Sequence, residues 1–264
     1  MESSILHHQI GRDQYYKIWH TIGENMLIYI HQGSGSIVCS ERAYPMEKGT
    51  LCFIGAGKYH YTMPDDPLDY DRSKVFLSGE ELLRLFSLLP EKNRFSRSYT
   101  ADAFVRSQIP PEQQSAVEAL FEDIAAAPEA YREAVLYSSY LRLLTLLDQN
   151  IPQQLSPSSD TMQLAIEYIN RHIFENLSID TICSAVHTSK YHFCRQFKKA
   201  TGFTVMEYIL KTRLILAKDM LLKNKLTISE ISEACGFSSV SYFSRVFRQE
   251  MGMSPLKYRK ENSQ

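Results

Sequence analysis

Four short runs near the start of the chain are apolar and rich in β-branched or aromatic residues: 27–30 (LIYI), 37–39 (IVC), 51–54 (LCFI) and 74–77 (KVFL). Their length and composition predict strands. Turn-forming stretches separate them, at 32–35 (QGSG), 47–49 (EKG), 55–57 (GAG) and 64–67 (PDDP), and short strands at this spacing predict a small antiparallel sandwich or barrel. After residue 78 the period becomes helical. One helix begins at Glu80 and carries Leu82, Leu83, Leu85 and Phe86; a second runs from Pro111 to the break at Pro128, with proline suited to the first turn. A third covers Glu129 to Asp148, where Leu136, Tyr140, Leu143 and Leu147 stand four, three and four apart. That spacing makes an apolar seam, widened by Leu141 and Leu144. It suits packing against its own domain and contact between two copies equally well.

Residues 149–160 (QNIPQQLSPSSD) place two prolines among polar residues without periodicity, which marks a linker. The chain is therefore expected to divide into a domain over 1–148 and another over 161–264. The second contains an internal repeat, 177–208 against 226–258. Ile182 and Ala185 match Ile231 and Ala234 at an offset of 49, whereas Phe193, Arg195, Phe197, Gly202 and Tyr208 match Phe243, Arg245, Phe247, Gly252 and Tyr258 at 50. The second copy is thus one residue longer at its turn. Each copy predicts helix, turn, helix. Gly236 suits a left-handed turn position; His187 stands there in the first copy and reaches that conformation at some cost. Thr227 with Glu230 and Thr204 with Glu207 are capping boxes, and Ser178 caps without a reciprocal glutamate. Gly202 and Gly252 end the second helices. Between the copies a helix to about Lys223 is expected to bury Met206, Ile209, Ala217 and Leu221.

Charge changes the picture for the second domain only. The 264 residues carry a net charge of −1, but residues 160–264 hold 15 Lys/Arg against 10 Asp/Glu. That asymmetry points to a nucleic-acid partner for the C-terminal half. The five cysteines form no CxxC pair, which suits reduced thiols in a cytoplasm and argues against disulfides or structural zinc. The N-terminus lacks the pattern of a secretory signal, and no apolar run approaches about 18 residues, so a cytoplasmic chain with no membrane partner is expected. No phosphate loop, nucleophile elbow or HExxH occurs.

Residues 213–261 resemble the DNA-binding domain of the AraC/XylS family of bacterial transcription regulators. Gly236-Phe237, Tyr242-Phe243, Arg245-x-Phe247 and Gly252-x-Ser254-Pro255-x-x-Tyr258-Arg259 fall in that family's order. The resemblance extends back to about Leu164, departing at Val205, where the family often has proline. Residues 46–60 (MEKGTLCFIGAGKYH) are similar to the strand and turn of the family's cupin-type sensors, departing at Thr50 and in lacking a turn proline. The resemblance implies an α+β two-domain fold: a cupin-like antiparallel β-barrel with flanking helices, then an all-α DNA-binding domain with two helix-turn-helix motifs joined by a long helix.

Positions in the motif make Arg195 and Arg245 the expected base readers, since an exposed arginine donates two hydrogen bonds to guanine O6 and N7. Tyr191, Cys194, Ser241 and Ser244 lie one turn away and are further base-contact candidates. Lys190, Lys198, Lys199, Ser239 and Arg248 are candidates for the phosphate backbone. Trp19, Tyr29, His31, Tyr59, His60 and Tyr61 are candidates for lining an effector pocket. His60 alone does not make a metal site, and His7 and His8 read as an exposed arm, so neither a metal nor a cofactor is expected. The expected partners are double-stranded promoter DNA, a small polar effector such as a sugar, a second copy of the chain and, for an activator, RNA polymerase. The alternative is a cupin-fold enzyme or repair protein carrying the same DNA-binding module. Clustered cysteines or a metal triad would be needed for that, and neither is seen in the sequence.

Overall fold

The computed structural model describes residues 5–11, 20–39, 42–87, 99, 103–151, 161–223 and 226–262. The chain divides into two compact units, 1–157 and 158–264, each taken by itself below.

The N-terminal unit contains eight strands among its described residues: β1 (Ile5–Ile10), β2 (Asn25–Gln32), β3 (Ser34–Cys39), β4 (Arg42–Glu47), β5 (Thr50–Ile54), β6 (His60–Pro64), β7 (Asp71–Leu77) and β8 (Phe104–Gln108). They form a five-stranded sheet in the order β1-β7-β2-β5-β8 and a three-stranded sheet in the order β4-β3-β6. All pairings between them are antiparallel. The described ladders make two sheets rather than one closed ring of strands. Three helices follow the sequence pattern closely: α1 (Gly79–Ser87), α2 (Pro111–Ala126) and α3 (Arg132–Gln149), the last entered through a 3-10 turn at Glu129–Tyr131.

Two cores explain why the central strands are continuously apolar. Leu27, Tyr29, Leu51, Phe53, Val75 and Leu77 face α2 and α3, meeting Phe121, Tyr140, Leu143 and Leu147. Met26, Ile28, Ile30 and Ile54 face the other way, toward Ile37 and Met46 of the three-stranded sheet. A strand covered on both faces has no solvent side to keep polar. The seam of α3 is spent here. Leu136, Tyr140, Leu143 and Leu147 are all buried in this unit's own core, so the dimer-contact reading of those residues is corrected: a side chain already removed from water has no surface to offer a second copy.

In the C-terminal unit the described helices are α4 (Thr161–Arg171), α5 (Ile179–Ala185), α6 (Lys190–Thr201), α7 (Val205–Lys223), α8 (Ile228–Ala234), α9 (Val240–Met251) and α10 (Pro255–Asn262). α5 with α6 and α8 with α9 are the two helix-turn-helix copies. Phe193 and Phe197, like Phe243 and Phe247, are fully buried, each pair with ring centroids 5.5 Å apart. Gly202 and Gly252 both take φ +75°, ending α6 and α9 in the left-handed conformation that glycine reaches without a Cβ penalty. His187 and Gly236 occupy equivalent turn positions at φ +53° and +74°. Both capping boxes built on glutamate form. Ser178 caps α5 without a glutamate, as expected, and the Thr181 hydroxyl, accepting from the Ser178 N–H, completes the box. Met206 departs from expectation: it is 50% exposed, whereas Val205, Tyr208 and Ile209 are buried. The inward face of the first turn of α7 is set by the 205–208–209 spacing, which turns 206 to solvent.

Candidate functional site

On α6, Tyr191, Arg195, Lys198 and Lys199 are exposed and Cys194 is partly so. They follow the i, i+3/i+4, i+7 spacing of one helix face, opposite Phe193 and Phe197. On α9, Ser241, Arg245 and Arg248 are exposed and Ser244 is partly so, on the equivalent face. The duplication therefore places Arg195 and Arg245 alike, each outward on the second helix of its motif. Tyr191 is 81% exposed, an apolar body in water that suits contact with base edges or a thymine methyl.

The surroundings differ between the copies. Arg245 lies with its guanidinium carbon 5.4 Å from the Tyr242 ring centroid, a cation–π contact that restrains a long side chain. Arg245, Ser244 and Arg248 line a surface groove with Gln249 and Ser254. Gln249 was open to discovery from sequence, standing four residues beyond Arg245 on the same face; Ser254 lies past the helix end and gave no such signal. Ser239 caps α9, its Oγ accepting the Tyr242 N–H at 3.2 Å, so its hydroxyl proton alone is left for a phosphate. In the first copy Lys190 is ion-paired with Asp180 at 2.9 Å across the two helices of the motif. That carboxylate raises the lysine pKa and competes with a phosphate for it.

Arg213 was missed entirely. Its guanidinium donates to the carbonyl oxygens of Ile173 (2.8 Å), Gly236 (2.7 Å) and Glu175 (2.5 Å). From α7 it thus ties the loop before α5 to the turn between α8 and α9. At Gly236 an added Cβ would stand 2.7 Å from the Phe174 carbonyl oxygen, so the same junction excludes a side chain there. α7 itself has 19 residues, about 28 Å at 1.5 Å per residue, a stiff spacer between the copies.

The five described candidates for an effector pocket are not brought to one place. Tyr29 and His31 face the helical layer, with ring contacts to Phe121 of α2. His60 is paired in register with Cys39 and so shares the face between the sheets, whereas Tyr61 is paired with Val38 and points to the opposite face. His60 Nδ1 donates to the Lys58 carbonyl at 2.9 Å, and its ring lies 4.3 Å from that of His20. Tyr59 is half-buried just before β6. Trp19 lies outside the described residues. Reading the five described residues as one lining set is therefore corrected: adjacent strand residues alternate faces, and the sequence spacing alone did not show which face met the helices.

Residues 3–156 match the family model of the AraC-like ligand binding domain, and residues 182–261 that of a helix-turn-helix domain. The bifunctional transcriptional activator/DNA repair enzyme AdaA of Bacillus subtilis (strain 168) is 33% identical over 103 residues, 39% of this chain and 49% of that protein. The match thus spans about half the length of that relative. The HTH-type transcriptional activator RhaR of Shigella flexneri serotype 5b (strain 8401) is 27% identical over 247 residues, 90% of this chain and 85% of that protein. Among solved structures, ToxT from Vibrio cholerae matches over 99% of this chain and 100% of that one, at 14% identity and a TM-score of 0.39. With its first half matched as a ligand-binding domain and its last third as a helix-turn-helix domain, the chain belongs to the AraC family.

Proposed function

We propose that the chain is a transcription regulator that reads promoter DNA with α6 and α9 and responds to a small polar molecule, a sugar being one candidate, bound by its N-terminal unit. The observation that carries this reading is the duplication itself. Two equivalent exposed faces, each centred on an outward arginine, are held on one stiff helix, which is the arrangement that enters successive major grooves about 34 Å apart. The weakly basic charge of 160–264 supports it by adding phosphate attraction. The likeness to RhaR, named a transcriptional activator, over 90% of the chain supports regulation over repair, and the likeness to AdaA covers only 39%. RNA polymerase is the protein partner of an activator, and the cytoplasm is where the complex forms. Effector binding acts by favouring one state of the regulator over another, which requires different affinities for the two. A second copy is not required by this geometry.

The test is selection of bound sequences from randomised duplexes by the full chain. Two conserved elements about one helical turn apart are expected, one relaxed by Arg195→Ala and the other by Arg245→Ala. A selected set with no conserved element, or with both substitutions relaxing the same base pair, would refute the two-groove reading.

A further inference from the structure

Both neighbours of β7 carry an extra residue at nearly the same level, beside Asp71–Ser73. Against β1, Leu6 pairs with Lys74 and Gln9 with Arg72, leaving His7 and His8 opposite the single residue Ser73. Against β2, Ile30 pairs with Arg72 and Gln32 with Asp71, leaving His31 unpaired. The residues extruded by these two irregularities are all histidines. In a regular strand His7 and His8 would point to opposite faces. Here His8 takes φ +46°, an uncommon conformation for a non-glycine residue, and the two rings come within 4.4 Å of one another on the side of His31. Bulges of this kind re-aim side chains and concentrate at functional sites.

We propose that His7, His8 and His31 bind one divalent transition-metal ion of the zinc, cobalt, nickel or copper class. One ligand nitrogen from each ring lies within 4.8 Å of the other two. Small χ rotations bring such atoms to the roughly 3.3 Å separation that metal–nitrogen bonds of about 2.0–2.1 Å require in a tetrahedral site. An all-imidazole set selects this class over calcium or magnesium. The outer hydrogen bonds of a metal site are also present. His8 Nδ1 is 2.6 Å from Asp71 Oδ2; Ser73 Oγ accepts the His8 N–H and lies 2.9 and 2.7 Å from His7 Nδ1 and His31 Nε2, accepting from one of these rings and donating its proton to the other. His8 and one of the other two rings keep a second nitrogen for the ion, and the third ligates with the nitrogen it frees by turning from Ser73. Asp71 and Glu122 supply negative charge around the cluster against Lys48. Asp71 Oδ1 and Tyr29 Oη are buried without a hydrogen-bond partner among the described residues. His31 is buried and His8 exposed, so an ion enters past His8. Bound there, it fastens the edge strand β1 to the sheet.

This inference needs no DNA and stands apart from the regulatory reading. The test is titration of the full chain, freed of any affinity tag, with Co(II) followed by its visible absorption and with Zn(II) by competition. One ion per chain is expected, with affinity lowered at least tenfold in H8Q and in H31Q and unchanged in the control H172Q. Zn(II) is expected to raise the melting temperature of the wild type and not of H8Q. His8 is solvent-exposed, so H8Q keeps the test sound if H31Q does not fold. Absence of stoichiometric binding, or binding as tight in H8Q as in the wild type, would overturn the proposal.

Discussion

Arg213 ties the loop before α5 to the turn of the second copy through three carbonyl oxygens, so its guanidinium does what no alkyl ammonium can do from one point. Arg213→Ala is expected to cost about 1.5–3 kcal/mol of stability, the range for a hydrogen-bonded charge, with Arg213→Lys in between. Urea unfolding followed by helical circular dichroism measures this, and a loss below about 0.5 kcal/mol would mean that water replaces the guanidinium at no cost. On the exposed face the residues separate by what they touch. Arg245→Ala is expected to cost about 1–3 kcal/mol on the selected sequence and much less on random DNA, whereas Lys198→Ala weakens both equally and lowers the salt slope by about 1. Equal losses on both duplexes for Arg245→Ala would move that residue to the phosphate backbone.

At the scale of elements, α3 is an internal strut. Leu143 is fully buried beneath the five-stranded sheet, so Leu143→Asp places a carboxylate in an apolar core and is expected to destabilise the N-terminal unit by more than about 3 kcal/mol. Thermal melting with sedimentation separates the two accounts of this helix: a variant that melts normally and merely dissociates would restore the seam as a contact between copies. The strands show which elements a sequence reveals. The four apolar runs at 27–30, 37–39, 51–54 and 74–77 fall within β2, β3, β5 and β7, all interior to their sheets. The strands that went unread, β1, β4, β6 and β8, are the edges. β1, β4 and β8 are half-exposed and β6 is buried, and β4 (RAYPME), β6 (HYTMP) and β8 (FVRSQ) carry proline or charge, so their composition resembles loop and their pairing makes them strands.

For the whole molecule, the division between 157 and 158 leaves each unit with its own cores. A fragment of residues 158–264 is therefore expected to fold cooperatively and to select the same DNA sequence as the full chain. A fragment that is unfolded by circular dichroism, or that selects a different sequence, would show that the N-terminal unit supplies part of the reading surface. The charge asymmetry between the halves adds that its binding weakens as salt rises.

The sequence by itself determined both helix-turn-helix copies and the helix between them, five of the seven described helices of the C-terminal unit, and gave no signal for α4 or α10. Helix periods, capping pairs, the αL glycines and the repeat are local signals, decided within a few residues by backbone geometry and hydrogen bonding. It also determined the outward arginines, because a face opposite two buried phenylalanines is solvent by elimination. What only the tertiary structure decided depends on contacts between distant residues. Nothing near Arg213 indicates that three carbonyls converge on it. The seam of α3 looked the same for a sheet beneath it as for a second copy. His7, His8 and His31 lie on two strands that meet only through β7, and a bulge, which no period announces, turned them to one side. A one-residue shift of register reverses every side chain on a strand, so which histidines share a face is settled by pairing and not by spacing.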